Sequence, residues 1–393
     1  MISQRQLFLN HVAQTSDMPL MLEIDRAEGV YLYAQDGKRY IDLISGIGVS
    51  NVGHRHPKVV EAIKGQIDKY MHLMVYGELI QSPQVKLAQA LSKTLPPSLN
   101  NTYFVNSGSE AIEGAMKLAK RFNQRSEFIS FYNAYHGSTQ GALSINGNEK
   151  IKNAFRPLLP DIRHLRFNVL EDLSQITTDT SAVIIEPIQG EAGIRIPEKV
   201  FLQALAKKCK ETQTLLILDE IQSGFGRTGK FWAFEHFDIV PDILVCAKGM
   251  GGGMPIGAFI SSKEIMTVLT HDPVLGHITT FGGHPVCCAA SLATMEIINE
   301  PAFLTAVGKK EQLFRHLLKH SRIKELRSQG LFMALQLDSY SEVKKVIDKC
   351  LEKGLLVDWF LYCSDSIRIA PPLVIDEEQI KEACTILVNA LND

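Results

Sequence analysis

Several things are missing from this 393-residue chain. It has no apolar run long enough to cross a membrane. Its start, MISQRQLFLNHVAQTSD, lacks the apolar core and small-residue cleavage site of a secretory signal. Seven cysteines are scattered with no CxxC spacing. That odd, unpaired set argues against a disulfide framework or a zinc centre, and for reduced thiols in a cytoplasmic setting. Neither sign of charge dominates: a formal net charge of −2 gives no electrostatic case for nucleic acid or an anionic membrane. His54 and His56 in GHRHP have no further ligand nearby, so they read as a proline-terminated turn rather than a metal pair. The dinucleotide fingerprint fails too, because Gly46-x-Gly48 is followed by Asn51 where a third glycine is needed. That counts against a nicotinamide dehydrogenase.

What is present is ordinary soluble-protein material, 45% hydrophobic and 21% charged, enough for a sizeable core. The length suits two domains, or one large and one small. The organising stretch runs from Leu215 to Gly253. Two short apolar runs there end in charge: Leu215–Leu218 lead into Asp219-Glu220, and Ile243–Ala247 into Lys248. Such runs fit buried strands of a parallel sheet, whose ligand crevice lies beyond the carboxyl ends of the strands. Asp219 and Lys248 are therefore expected at one mouth.

The rest of the chain supports an alternating α/β pattern between about 100 and 262. Asp36-Gly37 between alternating apolar residues predicts a hairpin, and the spacing of Val59, Val60, Ile63 and Ile67 predicts an amphipathic helix over 57–70. A short strand at 103–105 meets Ser107-Gly108-Ser109, where Ser109 and Glu110 read as a helix start. Free N–H groups, two hydroxyls and a glycine there could cradle a phosphate. A strand-like stretch over 128–137 ends in Tyr135-His136-Gly137. A third apolar run, SAVII, ends in Glu186 and then Glu191, and a helix is expected over 198–211. From about 300 the pattern becomes helix, strand, helix, strand, helix, an α+β lobe of its own.

Taken in order, NSGSEA, YHG, EPIQGEAG, LDEIQSGFGRTG, PDILVCAKGMGGGMPIGA, TTFGGHPV and IRIAPPLVI resemble the class III aminotransferases of the ornithine and acetylornithine type. The likeness runs from about residue 30 to the C-terminus. It implies an α/β chain of the fold type I pyridoxal-phosphate transferases: a large domain with a mostly parallel central sheet, plus a small α+β domain. On that reading 1–55 is an N-terminal segment contributing to the small domain, 56–299 the large cofactor-binding domain, and 300–393 the C-terminal small domain.

The resemblance also implies roles. Lys248 would bind pyridoxal 5'-phosphate covalently and move the proton, a task that suits a compact amine. Asp219 would keep the pyridine nitrogen protonated, and Gln222 would reach the phenolic oxygen. Ser107, Gly108 and Ser109 would hold the phosphate, and Tyr135 would stack on the ring. Thr280 would reach the phosphate of a neighbouring subunit, which implies a homodimer with shared sites. His136 and Glu186 would support the site from its edge. Arg368 would grip a carboxylate of 2-oxoglutarate, with Glu191 covering it while an ω-amine donor is bound.

Two positions depart from the family pattern. Ornithine- and acetylornithine-type members usually carry arginine where Ser138 stands, and ornithine-type members carry tyrosine where Ile47 stands. The donor is thus left open between another ω-amino acid, a diamine and an amine without an α-carboxylate. The expected activity is a ping-pong transamination. Alternatives are a mutase, racemase or decarboxylase on the same scaffold, and a non-catalytic binding protein, which an intact Lys248 and Asp219 disfavour.

Overall fold

Apolar runs without alternation can be buried on both faces, and the fold uses them so. A computed structural model describes residues 3–392. The first strands are β1 (Ile24–Glu28), β2 (Tyr31–Ala34) and β3 (Arg39–Asp42). The central stretch supplies β4 (Asn101–Val105), β5 (Glu127–Phe131), β6 (Ile162–Leu165), β7 (Thr180–Ile185), β8 (Leu215–Asp219), β9 (Ile243–Cys246) and β10 (Gly257–Ser261). The last are β11 (Glu325–Gln329), β12 (Phe332–Gln336), β13 (Leu355–Leu356), β14 (Asp358–Phe360) and β15 (Cys363–Ile369).

Seven strands form the central sheet in the order β4-β10-β9-β8-β7-β5-β6. All run parallel except β10, which is antiparallel to both neighbours. Every residue of β7, β8 and β9 is buried. The two-residue period of a strand divides them between two cores. Ala182, Ile184 and Ile217 pack with Ala111 and Ile112 of helix Gly108–Asn123, whereas Val183, Ile185 and Leu218 pack with Phe201 and Leu205 of helix Lys199–Thr212. Burying one such Leu or Ile side chain contributes about 1.5–3 kcal/mol.

The remaining strands make two sheets of four, β1-β2-β3-β13 and β11-β12-β15-β14. β13 pairs in parallel with β3, Leu355 opposite Ile41, so the first strands of the chain are joined to its C-terminal part. One core unites Val30, Ile41 and Leu43 with Leu335, Ile367 and Leu387. Arg227 ties these parts together. Its fully buried guanidinium donates to the carbonyls of Leu331 and Pro371 and to Asn51 Oδ1.

The hairpin expected at Asp36-Gly37 is present, with Gly37 at φ 85 and the Asp36 carboxylate accepting from Lys38 N–H. The helix expected over 57–70 spans Pro57–Ile67, and that expected over 198–211 spans Lys199–Thr212. Three expectations change. The helix after β4 is capped by Ser107, whose extended backbone lets its hydroxyl accept from Glu110 N–H, so Ser109 already lies inside the helix. The strand expected over 128–137 stops at Phe131, and Tyr132–Gly137 is loop. The C-terminal lobe holds β11, β13 and β14 besides the two strands expected there.

Candidate active site

Because the strands run parallel, the loops that follow them gather along one edge of the sheet. Ser107 follows β4, Tyr135 and His136 follow β5, Glu186 follows β7, Asp219 ends β8, and Lys248 comes two residues after β9. These residues, with Gly108, Ser109 and Gln222, line one cavity of about 370 Å³. Asp219 and Lys248 meet there because β8 and β9 are adjacent, with Asp219 opposite Val245.

The cavity has a polar floor. Asp219 Oδ1 accepts from Ile221 N–H at 3.0 Å, and Oδ2 lies 2.7 Å from His136 Nδ1. A carboxylate only accepts, so Nδ1 carries the hydrogen. His136 is itself held by Asn146, whose Oδ1 accepts from His136 N–H and whose amide donates to the Gly137 carbonyl. Glu186 accepts from the N–H groups of Tyr135 and Gly190. Burial pushes its carboxyl up to about 7, and the charge of Asp219 adds to that rise.

Lys248 holds a left-handed backbone, φ 47, a conformation that costs a non-glycine residue on the order of 1 kcal/mol. Burial pushes its amine down to about 8, helped by the positive charge of Arg368 and opposed by Glu191, Asp219 and Glu186. One rim is built for a small anion. The first turn of helix Gly108–Asn123 leaves N–H groups without intrahelical partners. A Cβ on Gly108 would lie 2.7 Å from Ile221 Cδ1, and one on Gly137, at φ 130, would strike Ser109 Oγ at 2.1 Å.

Arg368 and Glu191 form a buried bidentate pair, NH1 to Oε1 and NH2 to Oε2, each at 2.9 Å. The guanidinium holds the Glu191 carboxyl down to about 2, against the opposing effect of burial. Gln222 joins this pair to the cavity by donating to Glu191 Oε1 at 2.9 Å, while its own Oε1 is buried without a partner. Leu361 N–H donates to Glu191 Oε2.

Five anticipated residues lie outside the lining: Glu191 and Arg368, which join it through Gln222, and three others. Ser138 is exposed, its N–H donating to Ser109 Oγ. Ile47 is 40% exposed in a left-handed turn, φ 65, although the nearby Val49 does line the cavity. Thr280 is exposed. The structure adds Asn106, Met254, Pro255 and Ile256 to the lining. Met254, Pro255 and Ile256 belong to the glycine-rich stretch that follows Lys248, a turn signal that could have placed them, whereas Asn146 carries no local signal.

The model of the family "Aminotransferase class-III" matches residues 12–391. The chain belongs to this family. It is 40% identical to the acetylornithine aminotransferase of Methanopyrus kandleri over 93% of this chain and 92% of that one. It is 39% identical to the acetylornithine aminotransferase of Bacillus subtilis, covering 94% and 95%. Its fold is similar to the crystal structure of ornithine aminotransferase from Toxoplasma gondii, with TM-score 0.91, 26% identity and coverage of 98% and 93%.

This class III aminotransferase is a pyridoxal-phosphate-dependent enzyme of fold type I that passes an amino group from an amino donor to an oxo-acid. The cavity fits that cofactor. It offers an anion rim that a Cβ would fill, an amine whose proton is easily lost, a carboxylate fixed by a histidine, and the buried, unpartnered Gln222 Oε1 and His136 Nε2.

Proposed function

We propose that this class III aminotransferase moves the terminal amino group of an ω-amino donor to 2-oxoglutarate. When bound, pyridoxal phosphate supplies an electron sink and a carbonyl carbon that takes up and gives back nitrogen. Lys248 Nζ would hold the cofactor covalently and would carry the proton at the substrate carbon. Asp219, kept in place by His136, holds the proton on the ring nitrogen. Ser107, Gly108 and Ser109 hold the phosphate, Tyr135 covers the ring, Gln222 serves the phenolic oxygen, and Glu186 supports the loop carrying Tyr135. Arg368 binds a carboxylate of the oxo-acid after Glu191 withdraws. The observation that carries this reading is the bidentate Arg368–Glu191 pair beside the Lys248 cavity. It offers a carboxylate clamp that can be covered while a donor without that carboxylate is bound.

The donor follows from what the cavity lacks. Among the described residues Lys248 is the one cation lining it, and Ser138 and Ile47 supply no charge near its mouth. A donor whose far end needs no guanidinium fits best, such as a diamine or an amine without an α-carboxylate. The relatives named for acetylornithine make N-acetylornithine the comparison. Mixing the holoenzyme with N-acetylornithine, ornithine, 4-aminobutyrate, lysine and diamines, and following cofactor absorbance, tests it. Fast bleaching by a diamine supports the reading, and bleaching only by donors with a far carboxylate, N-acetylornithine or 4-aminobutyrate, refutes it.

The division into 1–55 with 300–393 and a larger 56–299 unit is part of the same proposal, supported by β3–β13 pairing and the shared core. So is a cytoplasmic homodimer. Met71, Ile278 and Phe281 are exposed apolar side chains, Ile278 and Phe281 flanking Thr280 in the chain and Phe281 packing on His72 beside Met71, and Thr280 itself lies outside its own chain's cavity. A second copy would cover them and bring in Thr280. All seven cysteines are free and buried, as suits a reducing compartment.

A further inference from the structure

Arg368 has a third edge that Glu191 does not use. Its Nε lies 3.1 Å from Asp358 Oδ1, close enough for strong charge attraction though off the line of a hydrogen bond. The two residues stand directly opposite each other in the β14–β15 pairing, where side chains share a face. Sheet register therefore fixes Asp358 against Arg368. Glu191 has no sheet register to hold it: it sits on the loop beyond β7, where Tyr362 N–H donates to its carbonyl and Leu361 N–H to its carboxylate. The guanidinium is further seated over the Phe360 ring, 4.7 Å from its centroid, and donates to the Trp359 carbonyl at 3.4 Å.

Withdrawal of Glu191 would leave a buried positive charge, which is costly unless another anion balances it. Asp358 is already there. Burial pushes its carboxyl up to about 6; Arg368 opposes that rise, and the negative charges of Glu191 and Asp42 add to it. When Glu191 leaves, its repulsion goes with it and Asp358 becomes a firmer anion.

We propose that Asp358 is a positioning residue for the acceptor half-reaction. It anchors the Nε edge of Arg368 and balances its charge while NH1 and NH2 pass from Glu191 to the carboxylate of the oxo-acid. This rests on the reading of Arg368 as the acceptor clamp. While the donor is bound, Glu191 still balances Arg368, so Asp358 matters less.

The test uses Asp358→Asn holoenzyme, with the two half-reactions followed separately by stopped-flow absorbance. The half-saturating concentration of 2-oxoglutarate is expected to rise about tenfold at a little-changed limiting rate, while donor parameters move less than about twofold. Inhibition by glutarate, the same dicarboxylate without the keto group, should weaken in parallel. Asp358→Glu keeps the charge and should stay within about threefold of the parent. In a Glu191→Gln background the Asn substitution should disturb the donor half-reaction as well, since no anion then remains beside Arg368 while the donor is bound. Equal changes in both half-reactions, no change in either, or a Glu variant as impaired as the Asn variant overturns the proposal. A parent enzyme that aminates no oxo-acid would instead fail the underlying reading, and that shows before any variant is made.

Discussion

His136 donates through Nδ1 to Oδ2 of Asp219 over 2.7 Å, with both side chains almost wholly out of water. The bond fixes the carboxylate that the account places at the cofactor's ring nitrogen. Replacing His136 by Phe removes the donor while keeping a flat ring. The expected result is a fall in kcat of about tenfold or more, one such hydrogen bond to a charged group contributing roughly 1.5–3 kcal/mol. Cofactor content, read by absorbance, should hold. An unchanged kcat would mean that the pair only supports the fold.

Asp219→Asn keeps the shape and removes the charge. The cofactor is expected to remain bound, and the rate of amino transfer to fall at least about a hundredfold, as when a preorganised charge partner is lost. Single-turnover kinetics at saturating donor would report it. A variant as fast as the parent would remove Asp219 from the chemistry.

Arg368→Ala is expected to raise the KM for 2-oxoglutarate about a hundredfold and the donor's KM much less, since a charged bidentate contact contributes about 2–3 kcal/mol. Lysine should not restore it, because an ammonium cannot reproduce two parallel N–H bonds. Equal losses for donor and acceptor would show that the arginine is not an acceptor clamp.

The lowered pKa of Lys248 sets a pH dependence. An amine titrating at about 8 is mostly protonated below that pH and mostly free above it, and only the free amine has a lone pair for attack. Covalent uptake of pyridoxal phosphate by the apoenzyme should therefore rise with pH, half-maximal near 8, and level off above about 9. A rate still climbing toward the ordinary lysine value of 10.5 would show that burial does not tune the group.

Arg227 offers a test of the fold rather than the chemistry. Arg227→Ala would leave the buried carbonyls of Leu331 and Pro371 and the Asn51 amide oxygen without their donor. The expected loss is about 3 kcal/mol, seen as a lower Tm by calorimetry. A Tm within a degree of the parent would mean that water replaces the side chain.

The parts of the fold read most easily from sequence were β7, β8 and β9, because residues buried on both faces leave an unbroken apolar run. The partners of those runs, Asp219 and Lys248, were legible for the same reason: charge directly after a buried strand marks a sheet edge. β13 and β14 were not, being two and three residues long with a register shift at Trp359 and Phe360. Ser107 and Ser109 are equally good caps on paper, and only the extended backbone at Ser107 decides between them. The link from Gln222 to Glu191 joins residues 31 apart, for which local spacing holds no signal, and the seating of Arg368 by Asp358 depends on the β14–β15 register, which the short, shifted β14 hides.

The central claim is that nitrogen leaves a donor, rests on the enzyme, and passes to an oxo-acid in a separate step. The most direct measurement is to bleach the holoenzyme with ¹⁵N-labelled donor, remove the donor by gel filtration, and then add unlabelled 2-oxoglutarate. The account predicts that the original absorbance returns and that one equivalent of ¹⁵N-glutamate appears per active site. Absorbance that never changes, or that returns without labelled glutamate, would contradict it.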